Sequence, residues 1–254
     1  MNRVKGKVCL VTGGARGLGL AAAEALLAEG AQVMITDVDQ AAGDAAAKSL
    51  GANAMFRVQD VTDAVQWRES LDALVARWGR LDVLVNNAGI AAILDIEQMT
   101  PDNWRRTLGV NLDGVMLGTQ AAIARMKKSG GSIVNMASIE GLIGDGTLPS
   151  YNASKGGVRI FTRSVAIHCA RSGYNIRINS VCPGFAETQM VSGALATLKP
   201  EDAQVFAEKT LARIPMGRFG KPSEIAAVVL FLASDEASYV SGSAYTVDGG
   251  RTSA

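Results

Sequence analysis

Short runs of β-branched and aliphatic residues alternate along the chain with longer stretches rich in Ala and Leu. Val8-Cys9-Leu10-Val11-Thr12 predicts a first strand, and residues 19–29 a helix closed by Gly30. The pattern then predicts strands at 33–36, 55–58, 83–85, 133–136, 176–181 and 244–247. Helices are predicted at 40–50, 65–78, 101–128, 151–170 and 223–233. The third of these six helices stops at Gly79, and the fourth starts with Thr100 as N-cap and Pro101 at its first position. Continuous apolar strands separated by helices are the mark of βαβ units, whose right-handed crossovers give a parallel sheet with helices on both faces. The expected fold class is therefore α/β, a doubly wound Rossmann-type sheet. No Pro/Ser linker, charge block or repeat interrupts residues 1–254, so one domain is expected. The rhythm fails only from Pro183 to about Leu211, and a segment that long predicts a lid or binding element, placed here at 185–212.

Composition narrows the choice of function. A chain of 254 residues buries about three-quarters of its unfolded surface and needs neither disulfide nor metal to hold a core. Its 25 Lys and Arg balance 24 Asp and Glu, and 5% of residues are aromatic. Neither figure favours a nucleic-acid or acidic membrane partner. Cys9, Cys169 and Cys182 are odd in number and widely spaced, which suits a reducing cytosol. No apolar run approaches the roughly 18–20 residues of a membrane span. The apolar run at 8–12 is too short for a signal sequence, so a cytoplasmic protein is expected. His168 is the sole histidine. It lies on a predicted helix with Cys169 on a different face, so neither a Ser-His-Asp triad nor a zinc site is expected.

Candidate chemistry gathers at the strand ends. Thr12-Gly13-Gly14-Ala15-Arg16-Gly17-Leu18-Gly19 joins the first strand to the first helix. Glycines there let the backbone approach a pyrophosphate and present helix N-terminal amides to it. Asp37 ends the second strand, where a carboxylate accepts hydrogen bonds from an adenosine ribose and repels a 2′-phosphate. At about 4 Å and an effective dielectric near 20, that repulsion is about 4 kcal/mol per pair of unit charges. Arg16 pulls the other way, but Val38 offers no second cation, so NAD is the expected cofactor. Asp60-Val61 and Asn86-Asn87-Ala88-Gly89 follow the third and fourth strands at the same edge.

Ser138 follows the fifth strand, and Tyr151 and Lys155 stand in Tyr-Asn-Ala-Ser-Lys near the start of the next helix. The i,i+4 spacing puts phenol and ammonium on one face, a turn apart. Lowering a phenol from its usual pKa near 10 by about 3 units needs about 4 kcal/mol in favour of the phenolate. One ammonium about 4–5 Å away in a partly desolvated site supplies that order, and an oxidised nicotinamide adds to it. Ser138 is expected to hold the substrate oxygen and Asn111 to pass protons to water.

With these stations in order, the chain resembles the classical short-chain dehydrogenase/reductase family over nearly its whole length. The resemblance rests on residues 12–19, Asp37, Asp60, residues 86–89, Asn111, Ser138, Tyr151, Lys155, Pro183-Gly184 and Thr188. It implies a seven-stranded sheet of order 3-2-1-4-5-6-7 and the catalytic tetrad Asn111, Ser138, Tyr151 and Lys155, with Tyr151 as acid and base. Lys155, with Tyr151 beside it, is also implied to hold the nicotinamide ribose. Gly13, Arg16, Gly17, Leu18 and Gly19 would line the pyrophosphate, Asp60 and Val61 the adenine, and Asn87, Ala88 and Gly89 the adenosine side. Pro183, Gly184, Phe185 and Thr188 would meet the nicotinamide. A homotetramer pairing the fourth and fifth helices is implied as well. The local pattern is especially similar to bacterial (R)-specific secondary-alcohol dehydrogenases, from whose NADPH preference Asp37 departs, and to 3β/17β-hydroxysteroid dehydrogenases.

Three segments, 90–99, 139–150 and 185–198, are expected to line the substrate pocket, and none contains Lys or Arg. Ile90, Ile139, Glu140, Leu142, Leu148, Phe185, Met190 and Leu195 are the candidate lining residues. A phosphorylated or carrier-bound substrate would call for cations there, so a neutral, largely apolar secondary alcohol or ketone is expected. The competing readings are a hydroxysteroid dehydrogenase specifically, a 3-oxoacyl-carrier reductase and a non-catalytic NAD-binding regulator.

Overall fold

Strand β1 (Val8–Thr12) reads Val-Cys-Leu-Val-Thr and is buried at every position, as befits the middle of a sheet covered on both sides. The computed structural model describes residues 2–188 and 200–253. Around β1 are β2 (Gln32–Asp37), β3 (Ala54–Val58), β4 (Val83–Asn86), β5 (Gly131–Met136), β6 (Ile176–Pro183) and β7 (Ala244–Val247). All pair in parallel, in the order β3-β2-β1-β4-β5-β6-β7 that the resemblance implied. The chain reverses direction across the sheet between β1 and β4, which opens a crevice at their carboxyl ends.

The helices are α1 (Gly17–Ala28), α2 (Gln40–Leu50), α3 (Ala64–Trp78), α4 (Pro101–Leu108), α5 (Gly114–Met126), α6 (Pro149–Arg171), α7 (Pro200–Leu211) and α8 (Pro222–Ala233). Alternate strand residues point to opposite faces. Cys9, Val11, Val33 and Ile35 therefore join one core with Leu26 of α1 and Val229 of α8. Leu10, Met34, Leu84 and Ile133 join a second with Trp67 and Leu71 of α3 and Met126 of α5. Asp39, Asp63 and Thr100 cap α2, α3 and α4 through side-chain oxygens, each contributing about 1 kcal/mol.

Two departures from the sequence pattern bear on the site. The helix expected over 101–128 is divided by a π-helical turn, Gly109–Asp113, closed by Gly114 N–H donating to Gly109 O. A Cβ on Gly114 would lie 2.8 Å from Val61 Cγ2, so α5 packs directly on the loop after β3. Asn111 lies inside that turn. The segment expected as a lid contains α7, beginning at Pro200.

Candidate active site

The turn after β1 is shaped by close approach. A Cβ on Gly19 would stand 2.2 Å from Gly13 O and 2.5 Å from Asn87 Nδ2, so only glycine lets α1 start so near the strand ends. Gly17 has φ +57°, and among the described residues a Cβ there would meet only Thr188, at 3.7 Å. Arg16 occupies the N-cap of α1 without capping it through its side chain. The first amides of the helix thus face a cradle between Gly17 and Thr188 with the donor chemistry of a phosphate site. A dinucleotide pyrophosphate fits this donor set.

Asp37 closes β2 beside the cradle. Its Oδ2 accepts from Ala15 N–H at 3.3 Å and its Oδ1 from Asp39 N–H at 3.2 Å. Each oxygen keeps acceptor capacity for a ribose hydroxyl. The Arg16 guanidinium pairs with Asp39. The cation weighed as a phosphate partner is thereby engaged with a carboxylate, and Val38 beside it is 68% exposed.

Asn87 Nδ2 donates to Thr12 O at 2.9 Å and Gly13 O at 3.0 Å, fixing the glycine turn to the end of β4. Thr12 Oγ1 accepts from Asn87 and Ala88 N–H, both at 3.0 Å. Asp60 is exposed and accepts from Thr62, while Val61 is buried and its carbonyl accepts from Trp67 Nε1 at 2.8 Å. Asp60 and Val61 therefore sit at one edge of the crevice and Asn87 and Ala88 at its centre. A Cβ on Gly89 would lie 3.3 Å from Asn111 Oδ1 and 3.5 Å from Lys155 Nζ, which joins the cofactor side to the chemical side.

Asn111 is wholly buried. Its Oδ1 accepts from Ile90 N–H at 2.8 Å, and its Nδ2 donates to Ile90 O at 2.9 Å and Ser154 Oγ at 3.1 Å. Both amide protons are committed, so the side chain clamps the loop after β4 to α6. Lys155, also buried, donates Nζ to Met136 O at 2.8 Å, and that nitrogen stands 5.6 Å from the centroid of the Tyr151 ring. Ser138 lies close enough to the Tyr151 phenol to favour its ionised form. The four residues singled out from sequence thus meet at the carboxyl ends of β4 and β5.

Their electrostatics differ from the sequence expectation. Burial pushes the Tyr151 phenol up to about 12, with the Ser138 hydrogen bond opposing and the Glu140 charge adding to the rise. Burial pushes Lys155 down to about 8, with Cys182 opposing. The lowered phenol expected from Lys155 is not found in the protein without nicotinamide, because the burial of the phenol outweighs what favours its charge.

Of the expected pocket residues, Ile90, Leu148 and Phe185 are half-buried and Leu142 is 38% exposed. Ile139 and Glu140 are buried in the turn after Ser138. Met190 and Leu195 lie outside the described residues. Pro183 ends β6, and a Cβ on Gly184 would lie 2.8 Å from Asp248 Cβ. Phe185 stands 6.2 Å from Phe219, ring to ring.

Sequence reasoning passed over the residues that hold this wall. Asn152 Nδ2 donates to Glu140 O at 2.6 Å, Glu140 Oε2 at 3.0 Å and Ile143 O at 3.0 Å. Arg159 Nη1 donates to Gly141 O at 2.6 Å. Tyr151, Lys155 and Arg159 recur every four residues on α6, a signal available to inspection. Arg251, remote in sequence, comes near enough to Glu140 to favour its charged form.

The chain is similar to known proteins over nearly its whole length. The family model described as "Enoyl-(Acyl carrier protein) reductase" matches residues 13–252. The NADP-dependent (R)-specific alcohol dehydrogenase of Lentilactobacillus kefiri is 43% identical, over 99% of this chain and 98% of that protein. The 3-beta-hydroxysteroid dehydrogenase of Comamonas testosteroni is 42% identical, over 97% of this chain and 96% of that protein. The crystal structure of gox2181 superposes with a TM-score of 0.91 at 36% identity, covering 100% of this chain and 98% of that one.

Proposed function

The chain belongs to the short-chain dehydrogenase/reductase family of oxidoreductases, and we propose that it is an NAD-dependent enzyme interconverting a neutral, largely apolar secondary alcohol and its ketone. The observation that carries this reading is the meeting of Ser138, Tyr151 and Lys155 beside a glycine cradle. Two relatives whose names specify an alcohol and a hydroxysteroid dehydrogenase support the substrate class. Asp37 supports NAD over NADP, as does the pairing of Arg16 with Asp39.

In this mechanism the amides of α1 and Thr188 hold the pyrophosphate, Asp37 the adenosine ribose, and Lys155 with Tyr151 the nicotinamide ribose. When bound, the nicotinamide supplies or accepts the hydride and, in its oxidised form, brings one positive charge. Ser138 directs the substrate oxygen toward the phenol. Tyr151 gives its proton to that oxygen in reduction and takes it back in oxidation. Lys155 steadies the phenolate once formed. Asn111 keeps the Ile90 loop against α6, so that Tyr151 meets the pocket in one geometry. Ile90, Leu142, Leu148 and Phe185 exclude water and favour an apolar substituent. Self-association into a tetramer is proposed through α4–α6, where Trp104, Met116, Ile160 and Ile167 are exposed.

The reading is tested by a screen of 1-phenylethanol, cyclopentanol and a 3-hydroxysteroid, each with NAD and NADP, following nicotinamide absorbance. Turnover with at least one alcohol, faster with NAD, is expected. No turnover with any of them, set against reduction of an acetoacetyl-carrier thioester, would favour the carrier reductase named in the family model's description.

A further inference from the structure

One ionisable group beside Tyr151 is given no role in the reaction described above. Glu140 lies two residues beyond Ser138 on the short 3-10 turn Ile139–Gly141, and is only 7% exposed. Its N–H donates to Ser138 Oγ at 3.1 Å, so the carboxyl and the hydroxyl that meets the phenol ride on one turn. Its side chain accepts from Asn152, the residue after Tyr151, at 3.0 Å. That amide nitrogen has two protons for three acceptors, so the carboxyl receives a shared bond rather than a full one. The groups that act on the Glu140 charge are Asp145 on its own loop and Arg251 from the C-terminal turn. Burial raises its pKa from the usual carboxylate range. The groups that act on the Tyr151 phenol are Ser138, which favours its ionised form, Lys155, 5.6 Å from the ring centroid, and Glu140, whose charge opposes ionisation.

We propose that Glu140 is a positioning residue for the proton exchange at Tyr151: its carboxylate stands against the phenolate, and its bond to Asn152 holds the turn that presents Ser138. The proposal rests on Tyr151 being the acid/base group. During oxidation the alcohol proton passes to the Tyr151 oxygen, which must first have lost its own. An ionised Glu140 nearby makes that loss harder and moves the rising limb of the pH–rate profile upward. Neutralising Glu140 lowers the midpoint.

The test is Glu140→Gln, which removes the charge and keeps an acceptor for Asn152. In the NAD-loaded enzyme, the midpoint of kcat for alcohol oxidation should fall by about 0.5–1 pH unit, a gain of roughly 3–10-fold on the rising limb. Glu140→Asp should restore the wild-type midpoint. The absorbance of the Tyr151 phenolate, isolated as the difference from Tyr151→Phe, should shift in parallel. A midpoint that stays put or rises in both measurements overturns the proposal, as does a uniform loss of kcat with an unmoved profile. Should Glu140→Gln not fold, Glu140→Ser removes the same charge and must give the same shift. A phenolate shift in a protein that oxidises no alcohol would uphold Glu140 and sink the proposed reaction instead.

Discussion

The contact between the Ser138 turn and α6 is the tightest place at which a small change should cripple chemistry while leaving the cofactor cradle whole. A Cβ placed on Gly141 would stand 2.6 Å from the Lys155 carbonyl carbon, 2.7 Å from its oxygen and 2.8 Å from Gly156 N. All three are helix backbone, which has no rotamer to give. Ordinary contact begins at 3.4 Å, so in Gly141→Ala the turn and helix must part by roughly 0.8 Å. The Arg159 bond to Gly141 O, 2.6 Å long, is strained by the same movement. Ser138 travels with the turn, whereas Tyr151 and Lys155 stay with the helix. A displacement of about 1 Å between positioned groups costs on the order of a hundredfold in rate. Overpacking of this kind costs about 1–3 kcal/mol in stability. The assay is kcat for alcohol oxidation beside the NAD dissociation constant measured by fluorescence, with a urea melt for stability. A kcat loss of about a hundredfold with unchanged NAD binding is expected. An unchanged kcat in the folded variant would refute the claim that this contact sets the site's geometry.

Asp37→Ala should shift coenzyme preference toward NADP by about 10–30-fold in kcat/KM, since half of a 4 Å ion-pair repulsion at the surface is about 2 kcal/mol. An unaltered ratio would remove Asp37 from the ribose site. Ile160 and Ile167 are 60% and 53% exposed on one face of α6. Replacing both with Glu should lower the mass seen by light scattering while far-UV circular dichroism is retained, and an unchanged mass would place any interface elsewhere. Lys155, at about 8 against an ordinary 10.5, binds fewer protons folded than unfolded between those values. Its contribution to stability therefore rises with pH across that window, so wild type should gain on Lys155→Met in urea melts as pH rises from about 8 to 10. A constant difference would mean that the lysine is not desolvated.

Legibility in the sequence followed the strength of the local signal. The buried strands were visible because a sheet covered on both faces demands unbroken apolar runs, as at Val8–Thr12. The bounds of α2 were equally plain, the helix expected over 40–50 being found at Gln40–Leu50. The π-helical turn at Gly109–Asp113 was not, because helical periodicity continues through it and only the tertiary anchoring of Asn111 to Ile90 reveals why it is there. Helix α7 stands inside a connection that reads as one long break in the alternation of strands and helices, so its start at Pro200 was not singled out. At the site, the i,i+4 pairing of Tyr151 and Lys155 was legible, but their titration was not. Spacing along a helix says nothing of the Met136 carbonyl that takes the ammonium, or of the burial that raises the phenol. Arg251 was hidden for the same reason, since its approach to Glu140 is a product of the fold rather than of any motif.

The central claim is that the Tyr151 oxygen carries the proton exchanged with substrate. Tyr151→Phe removes that oxygen and leaves the ring. It should still bind NAD, with Lys155 left to hold the nicotinamide ribose, while turnover with the best alcohol from the screen should drop by about a hundredfold to ten-thousandfold. Turnover that survives the substitution, with the cofactor still bound, would contradict the account.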